Sequence, residues 1–252
     1  MTFIRRATLA TLAAPLALAL AACGGETEDV AGLEGEPVAA VPAPEGQEWA
    51  QVTTLTEQNG HMIGNPDAPI KLVEYGSLTC SHCAAFTQQG FEELRTKYIN
   101  TGKVSFELRP FILNGLDLVM VRLARCGTDE AVVPLSEQTW LKFEEVMGRA
   151  QEGGQALEAA MANEDQSTRY VQIAEAAGLL DFYAANGISR DQARSCLSDP
   201  ASIQSIAERS TQQGKELGIT GTPTFFVNGN KLEVNTWTAV EPILQKAGAR
   251  ES

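Results

Sequence analysis

Basic residues and histidine are scarce in this sequence of 252 residues. There are 19 lysines and arginines against 32 aspartates and glutamates, which gives a formal net charge of −13. Because so acidic a chain repels nucleic-acid phosphates, the composition excludes a nucleic-acid-binding protein. With two histidines and five cysteines, a histidine-rich metal centre is also excluded. The hydrophobic fraction of 44% and the charged fraction of 20% are those of an ordinary globular protein.

Long hydrophobic runs are missing apart from one near the N-terminus. Residues 7–22 are mostly apolar and follow Arg5 and Arg6, but the run is too short and too rich in alanine for a transmembrane helix. Residues 1–22 are therefore predicted to be a targeting signal. The signal ends Leu-Ala-Ala-Cys-Gly, which resembles a bacterial lipobox. That resemblance implies that Cys23 is lipidated; the alternative is a plain secretory signal that leaves Cys23 free.

The next segment, residues 23–50, has a different composition. It holds seven acidic residues and no lysine or arginine, together with several glycines, prolines and alanines. Such a stretch buries too little apolar surface to offset its ordering entropy, so we predict a disordered tether. The folded domain is then expected at residues 51–252.

Alternating strand and helix patterns organise this domain. Strands are predicted at residues 70–75, 103–111 and 222–227, a helix at 81–99, and helices almost throughout 113–213. An Asn-Gly hairpin signal, a return strand at 231–234 and a final helix from Thr238 follow. This order predicts an α/β core of residues 51–112 and 214–252, interrupted by a helical insertion at 113–213.

The sharpest chemical signal is Cys80-Ser81-His82-Cys83, at the junction of a strand and a helix. A cysteine at a helix N-terminus is favoured as a thiolate, because unpaired backbone N–H groups and the positive end of the helix dipole lie there. His82 adds a potential positive charge. Since stabilising the reduced form makes a disulfide more oxidising, the motif predicts a redox-active pair that acts as an oxidant.

Two other interpretations of the motif were weighed. A Cys-x-x-Cys pair can be half of a zinc site, which normally needs a second close pair of ligands. Only Cys126, Cys196 and His61 remain, and they are isolated from one another; His61 is interpreted as a lone surface histidine. The pair could also be a purely structural disulfide. We predict no metal and no cofactor.

A second signal is Thr222-Pro223, which opens a predicted strand. On its own, a trans peptide bond would be the default here. In combination with the cysteine motif, a cis bond is favoured. A cis bond would expose the polar groups of Thr222 beside the motif, where a substrate strand could pair.

Residues 51–252 as a whole resemble the DsbA-like thiol–disulfide oxidoreductases of bacterial cell envelopes. The resemblance is carried by Glu74-Tyr75 before the motif, by the motif itself, by the helical stretch, and by Gly-Thr-Pro-Thr-Phe-Phe-Val-Asn-Gly at 221–229. It implies a thioredoxin-like fold with a helical domain inserted before the cis-proline strand. It also implies that Cys80 is the exposed nucleophile and Cys83 its buried partner. One departure is Ser81, which stands where the commonest dipeptide of the family has proline.

Glu74 is predicted to point into the interior, because it shares a strand face with Ile70 and Leu72. A buried carboxyl has a raised pKa and can exchange a proton with Cys83. The family has an acid at the matching place. The alternative is an exposed glutamate at a strand end.

Cys126 and Cys196 both fall in the helical insertion. Some relatives in the resembling family carry a second disulfide there, and leftover cysteines in an oxidising compartment usually pair. We therefore expect a structural disulfide between them. The alternative is two free, buried thiols.

The functional hypothesis is a membrane-tethered, monomeric dithiol oxidase that donates the Cys80–Cys83 disulfide to reduced or unfolded envelope proteins. The family resemblance implies a quinone-linked membrane partner that reoxidises it. The lipid anchor would place it on the periplasmic side of the envelope, and Gly24 after Cys23 favours the outer membrane by resemblance to known lipoproteins. The alternatives are an isomerase or reductase of the same fold and, in another class, a redox-inactive, chaperone-like binding lipoprotein.

Overall fold

A six-stranded sheet forms the centre of the computed structural model, which describes residues 33–250. The predicted signal peptide and Cys23 lie outside the described residues. The strands follow the spatial order β1-β2-β4-β3-β5-β6. Their bounds are β1 Thr53–Leu55, β2 His61–Ile63, β3 Ile70–Gly76, β4 Val104–Pro110, β5 Thr224–Val227 and β6 Asn230–Lys231.

The middle strand, β3, carries the chain to the cysteine motif. It pairs in parallel with β4 and antiparallel with β5, so its backbone hydrogen bonds are satisfied on both sides. The prediction of a strand at 70–75 is confirmed, with Gly76 added at its end. The β1–β2 hairpin was not predicted, because two strands of three residues are too short to show an alternating pattern.

The helix after the motif packs on one face of the sheet. It begins as α1, Ser81–Phe86, and continues through π-helical turns at Thr87–Phe91 and Leu94–Ile99. The helical spacing in the sequence predicts one apolar face for it, and every residue of that face is buried: Cys83, Phe86, Thr87, Gly90, Phe91, Leu94 and Tyr98. Gly90 is required on that face, because a Cβ there would overlap the ring of Trp237 from the last helix. The last helix therefore sits directly against the motif helix.

The helical insertion follows β4 and contains eight helices, close to the predicted range of 113–213. Helix α2 is its central member and contacts α3, α6, α7, α8 and α9. Met120 and Leu123 of α2 are fully buried. The helices are α2 Gly115–Ala124, α3 Asp129–Leu141, α4 Phe143–Glu152, α5 Gly154–Ala162, α6 Gln166–Ala176, α7 Leu179–Ala185, α8 Arg190–Leu197 and α9 Pro200–Glu216. Within residues 33–250, no helix is long and apolar enough to cross a membrane.

The chain then returns to the sheet through β5, β6 and the last helix, α10 Trp237–Leu244. Asn228 and Gly229 both have positive φ, as the Asn-Gly hairpin signal predicts. The return strand is shorter than predicted, two residues rather than four. Helix α10 begins at Trp237, one residue before the predicted Thr238.

Residues 33–50, which we call the strap, pack against the domain. Leu33 and Trp49 are buried. This differs from the disordered tether expected through residue 50, because a few apolar contacts and backbone hydrogen bonds hold a segment whose average composition is that of a disordered chain. The strap's hydrogen bonds join Gly35 N to Lys246 O, Val38 N to Gly248 O and Val41 N to Thr101 O, at 3.0, 2.8 and 2.9 Å.

The tip of the β1–β2 hairpin docks on the helical insertion. His61 is 3% exposed, and its Nε2 lies 3.0 Å from Oδ1 of Asp129 at the start of α3. The expectation of a surface histidine was therefore wrong. Burial is the main effect that lowers the pKa of His61, and Arg125 acts in the same direction. Arg125 also donates to the carbonyl of Asn59 at 2.9 Å, so this contact fixes the hairpin relative to the insertion.

Candidate active site

Cys80 and Cys83 lie where the chain leaves β3 and enters α1. Cys80 is the extended N-cap residue of α1, and its carbonyl accepts from the Ala84 N–H at 3.1 Å. Both cysteines are free thiols in this structure. Cys80 is 8% exposed and Cys83 0%. Cys80 is thus the more accessible of the two, although far less open than an exposed nucleophile.

The surroundings of Cys80 favour its thiolate. A hydrogen bond from the Cys83 thiol is the largest of the effects that lower the pKa of Cys80 to about 5, and burial opposes it. The Thr222 hydroxyl and the backbone N–H groups of Cys83 and His82 lower it further. The thiolate is therefore the main form of Cys80 at neutral pH.

The side chains between the two cysteines point to solvent. Ser81 and His82 are exposed. His82 was expected to act through the charge of its ring, but the contribution of His82 to the lowered pKa of Cys80 comes from its backbone N–H. The first helical turn, rather than an imidazolium, provides the donor.

The peptide bond between Thr222 and Pro223 is cis, as the sequence predicted. It faces the motif: the carbonyl oxygen of Thr222 lies 3.3 Å from Cys80 Sγ and accepts a hydrogen bond from it when the sulfur is protonated. The hydroxyl of Thr222 is buried and makes no well-aligned hydrogen bond. Two segments 142 positions apart in sequence thus meet at the Cys80 sulfur.

Glu74 lies on β3, the middle strand of the sheet, near the end that leads to the cysteines. It is fully buried, in agreement with the strand-face prediction, and neither carboxyl oxygen accepts a well-aligned hydrogen bond. Burial raises the pKa of Glu74 to about 8; the charge of Cys80 adds to this shift, and the Cys83 thiol opposes it. Burial likewise raises the pKa of Cys83 well above its usual range. Glu74 and Cys83 are both poised to hold protons at neutral pH.

The space around Glu74 is tight, and the lack of a side chain on Gly76 leaves room for the Glu74 carboxyl and the Trp140 ring. A Cβ on Gly76 would lie 3.0 Å from Glu74 Oε1 and 3.2 Å from the ring of Trp140. Trp140 in turn donates from Nε1 to the carbonyl of Ser77 at 3.0 Å. Trp140 is a buried core residue that also holds the loop before Cys80.

Asp117 is a site residue that the sequence analysis missed. It is fully buried in the first turn of α2. Its Oδ1 accepts from the Leu78 N–H at 2.8 Å and its Oδ2 from the Leu113 N–H at 3.0 Å. The N-cap residue Asn114, three positions earlier, gives a helix-start signal. That signal predicts the helix, but not the contact with the loop before the motif.

Cys126 and Cys196, which are 70 positions apart in sequence, form a disulfide. Cys126 follows the end of α2, and Cys196 belongs to α8. The bond therefore joins the central helix of the insertion to a later one. The alternative of two free thiols does not apply.

Removing this disulfide should destabilise the domain. Because closing a loop of this length restricts the unfolded chain, the Cys126→Ala/Cys196→Ala variant should lose about 4 kcal/mol of unfolding free energy in the chain-entropy model. Urea unfolding of the oxidised variant and wild-type protein measures the difference. An unchanged midpoint would mean that the bond adds nothing to stability.

The arrangement suits thiol–disulfide exchange. A stabilised thiolate, a buried second thiol and a buried carboxyl converge at one end of the sheet, next to the Thr222 backbone. Among residues 33–250, no group of three or more histidine, cysteine or acidic side chains could hold a metal ion.

Known proteins share both sequence and fold with this chain. A family model described as thioredoxin matches residues 56–246. A protein of Rickettsia bellii named as a protein-disulfide oxidoreductase is 29% identical over 197 residues, which are 78% of this chain and 68% of the relative. A protein of the same name in Rickettsia typhi is 29% identical over 183 residues, which are 73% of this chain and 60% of the relative.

Solved structures agree. The protein-disulfide isomerase of Novosphingobium aromaticivorans is 26% identical and superimposes with a TM-score of 0.71 over 76% of this chain and 98% of its own. Wolbachia pipientis alpha-DsbA1 is 23% identical and shares the fold with a TM-score of 0.61 over 77% of this chain and 93% of its own. The family match covers most of the described domain, including the motif and the cis-proline strand. The chain therefore belongs to the thioredoxin family, as a thiol–disulfide oxidoreductase whose fold is DsbA-like with a helical insertion.

Proposed function

We propose that this thiol–disulfide oxidoreductase works as a dithiol oxidase, with Cys80 as the residue that exchanges with substrate. The observation that carries the proposal is the stabilised thiolate of Cys80, whose pKa is lowered to about 5. A stabilised thiolate favours the reduced form of the pair, so the oxidised form passes its disulfide on readily. A redox-inactive binding protein would have no use for this environment.

The reaction starts from the oxidised pair. A substrate thiolate attacks Cys80 Sγ, the Cys80–Cys83 bond breaks, and Cys83 leaves as a thiolate that takes a proton from Glu74. A second substrate thiol loses its proton and attacks the substrate sulfur of the mixed disulfide, releasing Cys80 as a thiolate. The substrate has lost two electrons and gained a disulfide, and the enzyme pair holds those electrons as a thiolate and a thiol.

The Thr222–Pro223 segment is the proposed substrate-binding element. The Thr222 carbonyl oxygen lies 3.3 Å from Cys80 Sγ, so a substrate that reaches Cys80 must pass beside the Thr222 backbone. An extended chain there can add backbone hydrogen bonds that do not depend on its sequence. This arrangement fits reduced or unfolded proteins as substrates.

The direction of electron flow has a measurable pH signature. At pH 7 the pair should be roughly 100-fold more oxidising than an unstructured dithiol. The reason is that the ratio of thiolate to thiol at Cys80 increases tenfold for each pH unit between pH 5 and pH 7. The advantage should shrink to nearly nothing at pH 5 and grow toward pH 9, since a lowered thiol pKa stabilises only the ionised state. Equilibration with glutathione buffers across this range measures it.

One rival function has an observation in its favour, since the Novosphingobium aromaticivorans structure is named a protein-disulfide isomerase. Two assays on the purified protein distinguish oxidase activity from isomerase activity. An isomerase would restore a protein with mispaired disulfides when supplied in its reduced form. A pair no more oxidising than an unstructured dithiol, together with such isomerase activity, would overturn the oxidase proposal.

The cellular setting is part of the proposal. We infer an enzyme held on the periplasmic side of the bacterial envelope, outer membrane in preference to inner, by a lipid on Cys23. It works as a monomer, and a quinone-linked membrane partner removes the electrons that the cysteine pair collects. The lipobox-like sequence before Cys23 and the resemblance to envelope oxidoreductases support this setting.

A further inference from the structure

We propose that Asp117 is a positioning residue for Cys80: it holds the loop before the motif, and its negative charge opposes the charge on the sulfur. Asp117 belongs to the helical insertion, whereas Cys80 belongs to the thioredoxin core. The inference rests on the proposed role of Cys80 as nucleophile. It gives the insertion a direct influence on the reactive cysteine.

The geometry of the loop supports the first part. The Asp117 carboxyl bridges Leu78 N and Leu113 N with its two oxygens, at 2.8 and 3.0 Å. From the preceding turn, Asn114 Nδ2 donates to Thr79 Oγ1 at 3.0 Å. The start of α2 is thus hydrogen-bonded to Leu78 and Thr79, the two residues that precede Cys80. Because Leu78 and Thr79 have no regular secondary structure of their own, these bonds fix where the sulfur lies.

The electrostatic surroundings support the second part. Among the described residues, no lysine, arginine or histidine forms an ion pair with Asp117, so its charge is balanced by hydrogen-bond donors alone. The titratable groups that interact with it are Cys80 from the motif and Tyr183 from α7. The Tyr183 hydroxyl donates to the Met120 carbonyl and remains neutral at physiological pH, since burial raises its pKa above the usual range.

Of these two groups, Cys80 is the one that carries a negative charge at neutral pH. Burial raises the pKa of Asp117 to about 6, with a further contribution from the charge of Cys80. Coupling between two sites is reciprocal, so a charged Asp117 disfavours the Cys80 thiolate by the same free energy. The residue that positions the sulfur also limits how strongly its thiolate is stabilised.

Three variants test this in the full-length protein. In Asp117→Asn, the amide oxygen can still accept from Leu78 but the charge is gone. Asp117→Ala removes both the charge and the acceptor. Asp165→Asn is the matched control, because Asp165 caps α6 of the same insertion on the surface. The readout is the equilibrium of the cysteine pair with glutathione as a function of pH.

For Asp117→Asn, the cysteine pair should be about tenfold more oxidising than in wild type at pH 8, because wild-type Asp117, with a pKa of about 6, is charged there beside the thiolate. The difference should shrink at pH 5, where Asp117 holds its proton. Asp165→Asn should match wild type at both pH values. Asp117→Ala should also slow oxidation of a reduced test protein by roughly tenfold or more, because the reactive sulfur loses its alignment. An Asp117→Asn pair no more oxidising than wild type at pH 8 would overturn the proposal.

A second measurement needs no variant and stands even if the substitutions impair folding. In wild-type protein, carboxyl NMR should show Asp117 titrating at a higher pH in the reduced form than in the oxidised form, since only the reduced form has a thiolate beside it. The same titration in both forms would contradict the electrostatic coupling. Neither readout depends on substrate oxidation, so a failure of the oxidase proposal is distinguishable from a failure of this one.

Discussion

Replacing Cys80 with alanine should abolish oxidation of a reduced test protein, whereas Cys83→Ala should accumulate mixed disulfides when its Cys80 thiolate attacks a test protein that already contains disulfides. The difference follows from their positions. In the wild-type protein, Cys80 has a small exposed area and surroundings that favour its thiolate, whereas Cys83 has no exposed surface and a raised pKa. Without Cys83, substrate bound to Cys80 through a disulfide cannot be released by attack from within the enzyme.

Non-reducing gel electrophoresis and mass spectrometry of the trapped adducts measure this outcome. The Cys126→Ala/Cys196→Ala variant is the control, because it removes the structural disulfide and leaves the motif intact. It should retain thiol oxidation. Full activity in Cys80→Ala, or adducts attached at Cys83, would show that the nucleophile is assigned wrongly.

The second large effect is expected at Glu74, and it depends on pH. Its pKa is raised from 4.5 to about 8 in the folded, reduced protein. An acid with a raised pKa binds protons more tightly when folded, so the contribution of Glu74 to stability is fully present below pH 4.5 and is lost as the pH rises to 8. The loss is on the order of 4 kcal/mol. Glu74→Gln should remove this loss and be more stable than wild type at pH 8.

Urea unfolding of both reduced proteins at pH 5 and pH 8 measures the difference. Glu107→Gln on the neighbouring strand is an informative control, because Glu107 forms an ion pair with Arg109. That variant should be less stable than wild type rather than more. A Glu74→Gln protein with the same pH dependence as wild type would contradict a buried, raised-pKa carboxyl.

The added stability of Glu74→Gln should come at a catalytic cost. Glutamine cannot transfer a proton, so the steps that protonate or deprotonate Cys83 should slow by roughly 10²-fold or more. Stopped-flow oxidation of a reduced peptide measures the rate. A more stable but slower variant would identify Glu74 as a residue kept for proton transfer rather than for folding.

Much of this site was predictable because its signals are local. The cysteine motif, the Asn-Gly turn and the apolar face of the motif helix each occupy a few neighbouring residues. Glu74 was placed in the interior by strand alternation alone, and the structure confirms its burial. These features depend on backbone periodicity, which a sequence displays directly.

What could not be predicted depends on contacts between distant segments. Asp117 bonds to Leu78 across 39 residues, and His61 is buried against Asp129 across 68. No periodic pattern links such positions. The prediction that the strap is disordered failed for a related reason. Its acidic composition indicated disorder, but composition does not show that Leu33 and Trp49 are buried against the domain.

The docking of the strap also determines how the enzyme would present itself to substrates. The strap bonds to Thr101, near the start of β4, where Val104 pairs with Ile70 at the beginning of β3. Cys80 follows the opposite end of β3, and a strand of seven residues spans about 20 Å. A lipid, an affinity tag or a solid support attached to the chain before Leu33 is therefore linked to the end of the sheet that is remote from the Cys80 sulfur. An immobilised enzyme would present its working face outward, open to proteins arriving from solution.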